Sequence, residues 1–536
     1  MQTDLTKDQL GPDGKPQYAI YLPALSTFYA TYIGKQRFGE HVKKSRIPSN
    51  LYNGVEGLNF LNTQKGMFKY QWALYSAGHA ELDVNKHAIK EDMVRNRDRE
   101  NSWLLGDSGG FQIAKGVWPA NWADPTCKHA MKKRKQVLEW MEAYMDYGMV
   151  LDVPSWIRDP VRGARGQKNT DIRTFQDSVD ATHINNQYWM QNRTGNCKFL
   201  NVLQGENHAE CEDWYHEMRD YCDPKIYPET HFNGWSMGGQ NSTDVHITLH
   251  RLIDMIYDGL LEENIHDYVH FLGTSKLEWA LLLTDIQRSI RKYHNPNFTA
   301  TYDCASPFLA TANGQIYIDI VTPDHGKWSY KMRPTVDDKK YANDMRLYRD
   351  VVLNDGHLEV FMDSPITKDL KISDVCIYDV NSLNAMGKTP KTSWDSFSYE
   401  LQMAHNIWLH IRAVQQANQE YDTGKIPYML EATKLHKKRF AEHRLHYFRD
   451  IIDEIFSSND KQKAIDTIEE FSRYWMDIPG TGGASGKKTI NSSTKFYQFF
   501  DFVSDAVATV DDDKDDDEMS IEEIDHAESI IDQLEN

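Results

Sequence analysis

Eight short runs of apolar and aromatic residues, each about the length of a strand, punctuate the first three hundred positions: 18–23, 68–76, 102–106, 148–153, 197–204, 231–238, 268–273 and 298–303. A strand covered on both faces has no solvent side to mark with alternate polar residues, so it reads as a nearly continuous apolar run. Between several runs the spacing becomes helical, as over Lys132 to Tyr147, Asp171 to Met190 and Ser242 to Glu262. Strands alternating with helices eight times predict an α/β fold, a (β/α)8 TIM barrel of parallel strands. The pattern divides the chain into a barrel domain over 1–420, a helical extension over 421–505, for which contact with nucleic acid is the expectation, and an acidic tail over 506–536.

Unusual polar residues follow the strand ends. Asp107, Asp152, Gln204, the Asn233-Gly234 pair and Asp303 each fall at or just past the expected carboxyl end of a run, where barrels of this type build their active sites. Singly, each has a plain explanation. Asp107 before Ser-Gly-Gly could cap a helix, Asp152 before Val-Pro could do the same, Gln204-Gly205 could end a strand, and Asp303 could belong to an ion pair. Their recurrence in order points to a site.

Composition narrows the setting. There is no apolar run of about 18 residues and no basic-then-apolar leader, so the expectation is a cytoplasmic protein without membrane partners. The six cysteines, Cys127, Cys197, Cys211, Cys222, Cys304 and Cys376, include no Cys-x-x-Cys pair, which speaks against a disulfide framework. The net charge of −19 is uneven: thirteen acids and one lysine in residues 511–536 carry −12 of it, leaving −7 elsewhere. Such a tail is a solvated segment or a mimic of nucleic-acid phosphate. Cations concentrate at Arg158, Arg162, Arg165, Lys168 and Arg173, at 132–135, and at Lys434, Lys437, Lys438, Arg439 and Arg444, as solvated faces or phosphate contacts.

The ordered segments Leu105-Gly-Asp107-Ser108-Gly-Gly-Phe111-Gln112, Leu151-Asp152, Val202-Leu-Gln204-Gly205, Asn233-Gly234-Trp-Ser-Met237-Gly238 and Tyr302-Asp303-Cys304-Ala-Ser-Pro307 resemble the barrel of the tRNA-guanine transglycosylases. They resemble more closely the DNA-guanine transglycosylases of phages and bacterial genomic islands. The resemblance spans roughly residues 15 to 420 and implies exchange of guanine for a 7-deazaguanine base, such as 7-cyano-7-deazaguanine, in DNA, with the same exchange on tRNA as the alternative. A non-catalytic nucleic-acid-binding barrel is the reading from another class.

By the family pattern Asp303 is the nucleophile that holds the sugar covalently and Asp107 is the acid and base. Asp152, Gln204 and the backbone N–H of Gly234 would read the base edge, Ser108 would stand beside it, and Phe111 and Met237 would stack on its faces. Arg158, Arg162, Arg165 and Lys168, in the loop after Asp152, are the first candidates for backbone contact, with Lys487 and Lys488 of the Gly-rich segment 480–489 beside them. That segment fails the P-loop spacing, since Thr481 and Lys488 stand where Gly and Ser or Thr are required.

Two departures from the tRNA enzymes follow. The segment after Cys304, Pro307 to Gly314, carries no arginine, which favours DNA. The family's structural zinc is left with a degenerate set, Asp374, Cys376, Asp379 and His405, against the cysteine-rich sites usual for structural zinc. The chemistry itself needs no cofactor. The resemblance leaves room for a homodimer or an accessory protein.

Overall fold

A computed structural model describes residues 3–38, 42–86, 91–354, 359–384, 387–432 and 445–478. The Gly-rich segment with Lys487 and Lys488, the cationic stretch 434–444 and the acidic tail lie outside the described residues.

All eight predicted strands form one parallel sheet: β1 (Ile20–Pro23), β2 (Trp72–Ser76), β3 (Trp103–Asp107), β4 (Tyr147–Met149), β5 (Lys198–Leu203), β6 (Gly234–Met237), β7 (Tyr268–Phe271) and β8 (Thr299–Cys304). From β2 to β8 each strand pairs with its sequence neighbour, and β8 returns to pair with β1. A parallel bridge between Ala24 and Leu74 joins β1 to β2 and closes the ring. The protein is a (β/α)8 TIM barrel.

The helices that cover it include α1 (Thr27–Phe38), α2 (Lys128–Tyr144), α3 (Phe175–Asn192), α4 (His208–Met218), α5 (Val245–Tyr257), α6 (Leu277–Tyr293) and α7 (Ser396–Asp422). α7 takes the last position in the ring, packed against α6 and α1, after an excursion containing the antiparallel pair β9 (Gln315–Val321) and β10 (Ser329–Pro334). Its start is fixed by Asp395, which caps it through the Ser398 N–H and pairs with both ends of the Arg46 guanidinium at 2.7 and 2.8 Å.

The sequence pattern misplaced some boundaries. The run 68–76 splits, because Phe68–Lys69 pairs with Thr3–Asp4 outside the barrel. The run 231–238 contributes only its second half, so Gly234 opens β6 rather than closing it. The helix expected over Ser242 to Glu262 is divided at Asp244, whose carboxylate caps α5.

The two barrel ends differ in chemistry. Trp103, Tyr147 and Tyr268, all first residues of their strands, pack as an aromatic plug at the amino end, with ring centroids 5.3 Å apart for Trp103–Tyr268 and 4.6 Å for Tyr147–Tyr268. Gly234 belongs to this plug: a Cβ there would lie 2.3 Å from the Tyr268 carbonyl. The carboxyl end carries the polar residues. Beyond the barrel, α8 (Phe448–Ser457) and α9 (Lys461–Glu470) dock on α6 and α5. α8 buries Phe448, Ile451, Ile452, Ile455 and Phe456, each worth roughly 1.5–3 kcal/mol of burial. Lys292–Asp453 at 3.0 Å and the Tyr257 hydroxyl donating to Ser458 O at 3.0 Å fix its position.

Candidate active site

Asp107 is the last residue of β3, and the register sets Ser76 of β2 directly beside it. The Ser76 hydroxyl donates to Asp107 Oδ2 at 2.5 Å. The chain then turns through Gly109, whose positive φ of 78° suits glycine, into a short helix, Gly110–Ala114. Burial pushes the Asp107 carboxyl up; the Ser76 hydroxyl counters this, and the negative charge of Asp303 adds to it.

Asp152 lies three residues past β4 and is 5% exposed. Its Oδ2 accepts from Gln204 Nε2 at 2.8 Å, and Ser108 Oγ is 3.5 Å from Oδ1. Two glycines allow this packing: a Cβ on Gly110 would stand 2.6 Å from Asp152 Oδ1, and one on Gly238 would stand 2.9 Å from Gln204 Nε2. Desolvation raises the Asp152 carboxyl to about 7, opposed by the Gln204 hydrogen bond and reinforced by the Asp107 charge.

Asp303 sits next to the end of β8, with its side chain 14% exposed. Its Oδ1 accepts from the Gly273 N–H at 3.0 Å and lies 3.2 Å from His270 Nε2. His270 Nδ1 is 2.9 Å from the Thr301 hydroxyl. A carboxylate only accepts, so the network assigns the imidazole proton to Nε2 and makes Thr301 the donor to Nδ1. Oδ1 is thereby tied from two sides, while Oδ2 makes no hydrogen bond among the described residues.

Asp107, Ser108, Asp152, Gln204 and Asp303 are thus gathered at the carboxyl mouth. Gly234 is not, because it stands in the aromatic plug at the far end. The glycines at the mouth are Gly238 and Gly239, which follow β6. Gly238 N–H is spent on Leu203 O at 2.9 Å, whereas the Gly239 N–H, at φ 54°, has no acceptor among the described residues. Phe111 is half-buried, with its ring 5.5 Å from that of Trp156 and Lys115 Nζ over both rings. Met237 is fully buried, paired in register with Leu203 and Phe271.

The basic loop is less free than its sequence implies. Arg158 pairs with Glu206 and Glu210, and Arg162 with Glu206 at 2.5 Å and Asp159 at 3.5 Å. Arg165 and Lys168 are exposed and enter no ion pair among the described residues. Arg134 of the 132–135 group is buried and bonded to Asn185 and the Trp122 carbonyl.

The zinc quartet does not assemble. Asp374 accepts from the Lys371 N–H at 2.8 Å, Asp379 from Ser382 and the Asn381 N–H, and Cys376 Sγ contacts Val336 O at 3.4 Å. Both nitrogens of buried His405 are occupied, Nε2 by Tyr317 O at 2.8 Å and Nδ1 by Ser364 Oγ at 2.9 Å. With no imidazole lone pair on offer and the donors engaged separately, these residues do not fit a structural zinc.

Sequence reasoning missed His270, Ser76, Gly238 and Gly239. His270 lay in plain view as the one imidazole in the run 268–273, between Val269 and Phe271. Fold and site together define a (β/α)8 barrel whose mouth carries three acids in distinct settings. No protein-family model matches this chain, and no curated protein matches it. Among the described residues no helix is long and apolar enough to cross a membrane.

Proposed function

We propose that this barrel exchanges guanine in DNA for a 7-deazaguanine base through a covalent sugar–aspartate intermediate, as its resemblance to the guanine transglycosylases implies. The observation that carries the reading is the division of labour among the three acids. Asp303 has one oxygen held by two donors and the other unengaged, Asp107 is a carboxyl disposed to hold a proton, and Asp152 is paired with an amide in a nearly dry recess. Displacement at a sugar carbon without loss to water requires a nucleophile and a separate proton carrier.

In the proposed reaction Asp303 Oδ2 forms a bond to C1′ as the C1′–N9 bond breaks, and the Asp107 proton passes to N9 of the departing guanine. The incoming base then gives its N9 proton to the Asp107 carboxylate. Its N9 bonds to C1′ and releases Asp303. Asp152 accepts from the N–H groups on the base edge. Gln204 and the Gly239 N–H face the carbonyl oxygen, and Phe111 with Trp156 offers an aromatic face worth about 1–3 kcal/mol per base. A paired nucleotide must be flipped out to reach the recess.

Exposed Arg165 and Lys168 supply the backbone contacts, and the helix after β8, Ser306–Ala312, buries Pro307, Phe308 and Leu309 instead of presenting cations. The test is incubation of the purified chain with labelled 7-cyano-7-deazaguanine and either duplex DNA or tRNA. Label in DNA, absent with D303A, is expected. Label confined to tRNA would move the reading to the tRNA enzymes, and no label in either would remove it.

A further inference from the structure

A second cluster of donors lies outside the barrel mouth, where the C-terminal extension meets the barrel. His246 and His250 stand one turn apart on the same face of α5, with ring centroids 4.5 Å apart. Each Nε2 lies 2.8 Å from the same oxygen, Oε1 of Glu469 on α9. His208, the first residue of α4, brings a third imidazole to the group, its centroid 5.9 Å from His246 and 5.8 Å from His250. Among the described residues this is the one group of three potential ligands whose donor atoms all fall within 4.8 Å of one another.

We propose that His246, His250 and Glu469, with His208 as fourth donor, form a binding site for a divalent transition metal of the zinc class that clamps the extension onto the barrel. Imidazole and carboxylate are the donors zinc accepts, at about 2.0–2.2 Å each, so neighbouring donors in a tetrahedral shell lie roughly 3.3 Å apart. The nitrogen–oxygen spacings here need to open by only a few tenths of an ångström. A helix N-terminus ordinarily repels a cation. In α5 that effect is blunted, since Asp244 Oδ1 takes the N–H groups of His246 at 3.0 Å and Ile247 at 3.3 Å. The nearby cations are also occupied: Arg251 pairs with Glu212 and Asp254, and Lys461 with Asp254.

The location gives the clamp a consequence. α4 and α5 begin where the chain leaves β5 and β6, and the loops before them carry Gln204 and the Gly238–Gly239 pair. A metal bridging both helices to α9 would fix the extension and the two loops as one unit.

The full-length chain, stripped with a chelator and titrated with Co²⁺, is expected to develop the intense ligand-field absorption of a four-coordinate site at one equivalent, bleached by one equivalent of Zn²⁺. H246Q/H250Q should abolish that absorption and E469Q should weaken Co²⁺ binding tenfold or more, while C376S leaves it unchanged. If the double variant fails to fold, judged by circular dichroism, H250Q alone serves, because His250 is only partly buried. Only the faint absorption of an octahedral oxygen site, absorption that survives in H246Q/H250Q or H250Q, or absorption lost in C376S would each overturn the proposal.

Discussion

Replacing Asp152 by asparagine tests whether its carboxylate serves the fold or a ligand. The side chain is 5% exposed and its carboxyl is raised to about 7, against about 4 in an unfolded chain. Asparagine keeps the shape. Its oxygen can accept from Gln204 as Asp152 Oδ2 does, and its amine can face Ser108 in place of Oδ1. The change therefore removes a charge with little loss of packing.

The sign is opposite to that of a salt-bridged acid. A carboxyl raised in the folded state binds its proton more tightly there, so stability falls as pH rises from about 4 to about 7 and then levels off. Three decades at about 1.4 kcal/mol each set the penalty at about 4 kcal/mol in the ionised state, as an upper bound. D152N escapes it. In urea unfolding followed by fluorescence, the variant should be more stable than the wild type by about 2–4 kcal/mol near pH 8 and equal to it near pH 4. The same variant should lose affinity for the free base, because an acceptor of two base N–H groups becomes a mixed donor and acceptor. Equal destabilisation at both pH values would refute the reasoning and make Asp152 a structural carboxylate.

Four further outcomes follow from the same geometry. G110A should lower base affinity and cost about 1–3 kcal/mol of stability, since its Cβ would stand 2.6 Å from Asp152 Oδ1; calorimetric titration and urea unfolding read the two effects. H270A should slow formation of the covalent DNA–protein adduct about 100-fold without changing the KM for free base, and H270Q, which keeps an N–H donor for Asp303, should recover part of the rate. S76A removes the hydroxyl that holds the Asp107 carboxyl down, so the Asp107 limb of the pH–rate profile should move upward; a limb that stays or falls would contradict the assignment. R165A/K168A should reduce the slope of log affinity against log salt by about two, whereas R158A, whose partners are Glu206 and Glu210, should change it by less than one phosphate contact.

The barrel was legible because its strands are buried on both faces and so announce themselves as unbroken apolar runs. Asp107, Asp152, Gln204 and Asp303 were legible because polar residues recur in order at or near the ends of these runs, although each alone has a structural use. Gly234 was misread for a local reason. The run 231–238 contains a turn, and the strand starts only at Gly234, which carries that glycine to the opposite end of the barrel. Arg158 and Arg162 were read as free cations because their partners Glu206 and Glu210 follow a different strand. The His246–His250–Glu469 group depends on α9 folding back 219 residues along the chain, a contact that no local pattern encodes.

The three acids at the mouth bear on whether this end of the barrel serves structure or chemistry. Several shielded charges elsewhere are neutralised, as Arg46 is by Asp395, Arg97 by Asp146, and Arg251 by Glu212 and Asp254, although buried Asp285, raised to about 7, accepts from the Tyr421 hydroxyl and buried Glu278 from the Trp328 N–H without an ion pair among the described residues. Asp107 and Asp152 have no lysine or arginine partner among the described residues, although both are pushed up chiefly by desolvation and each feels the charge of a neighbouring acid. A fold selected for stability alone would mate such groups or replace them with apolar ones, which is commonly neutral or favourable. Their retention beside Gly109, Gly110 and Gly238 is a standing cost, and clustered acids perturbed by burial and by one another mark a candidate functional site. A ligand that brings its own donors to Asp152 and its own proton traffic to Asp107 would offset that cost, and the purine-like base proposed above, with ring and exocyclic N–H groups, would meet both requirements.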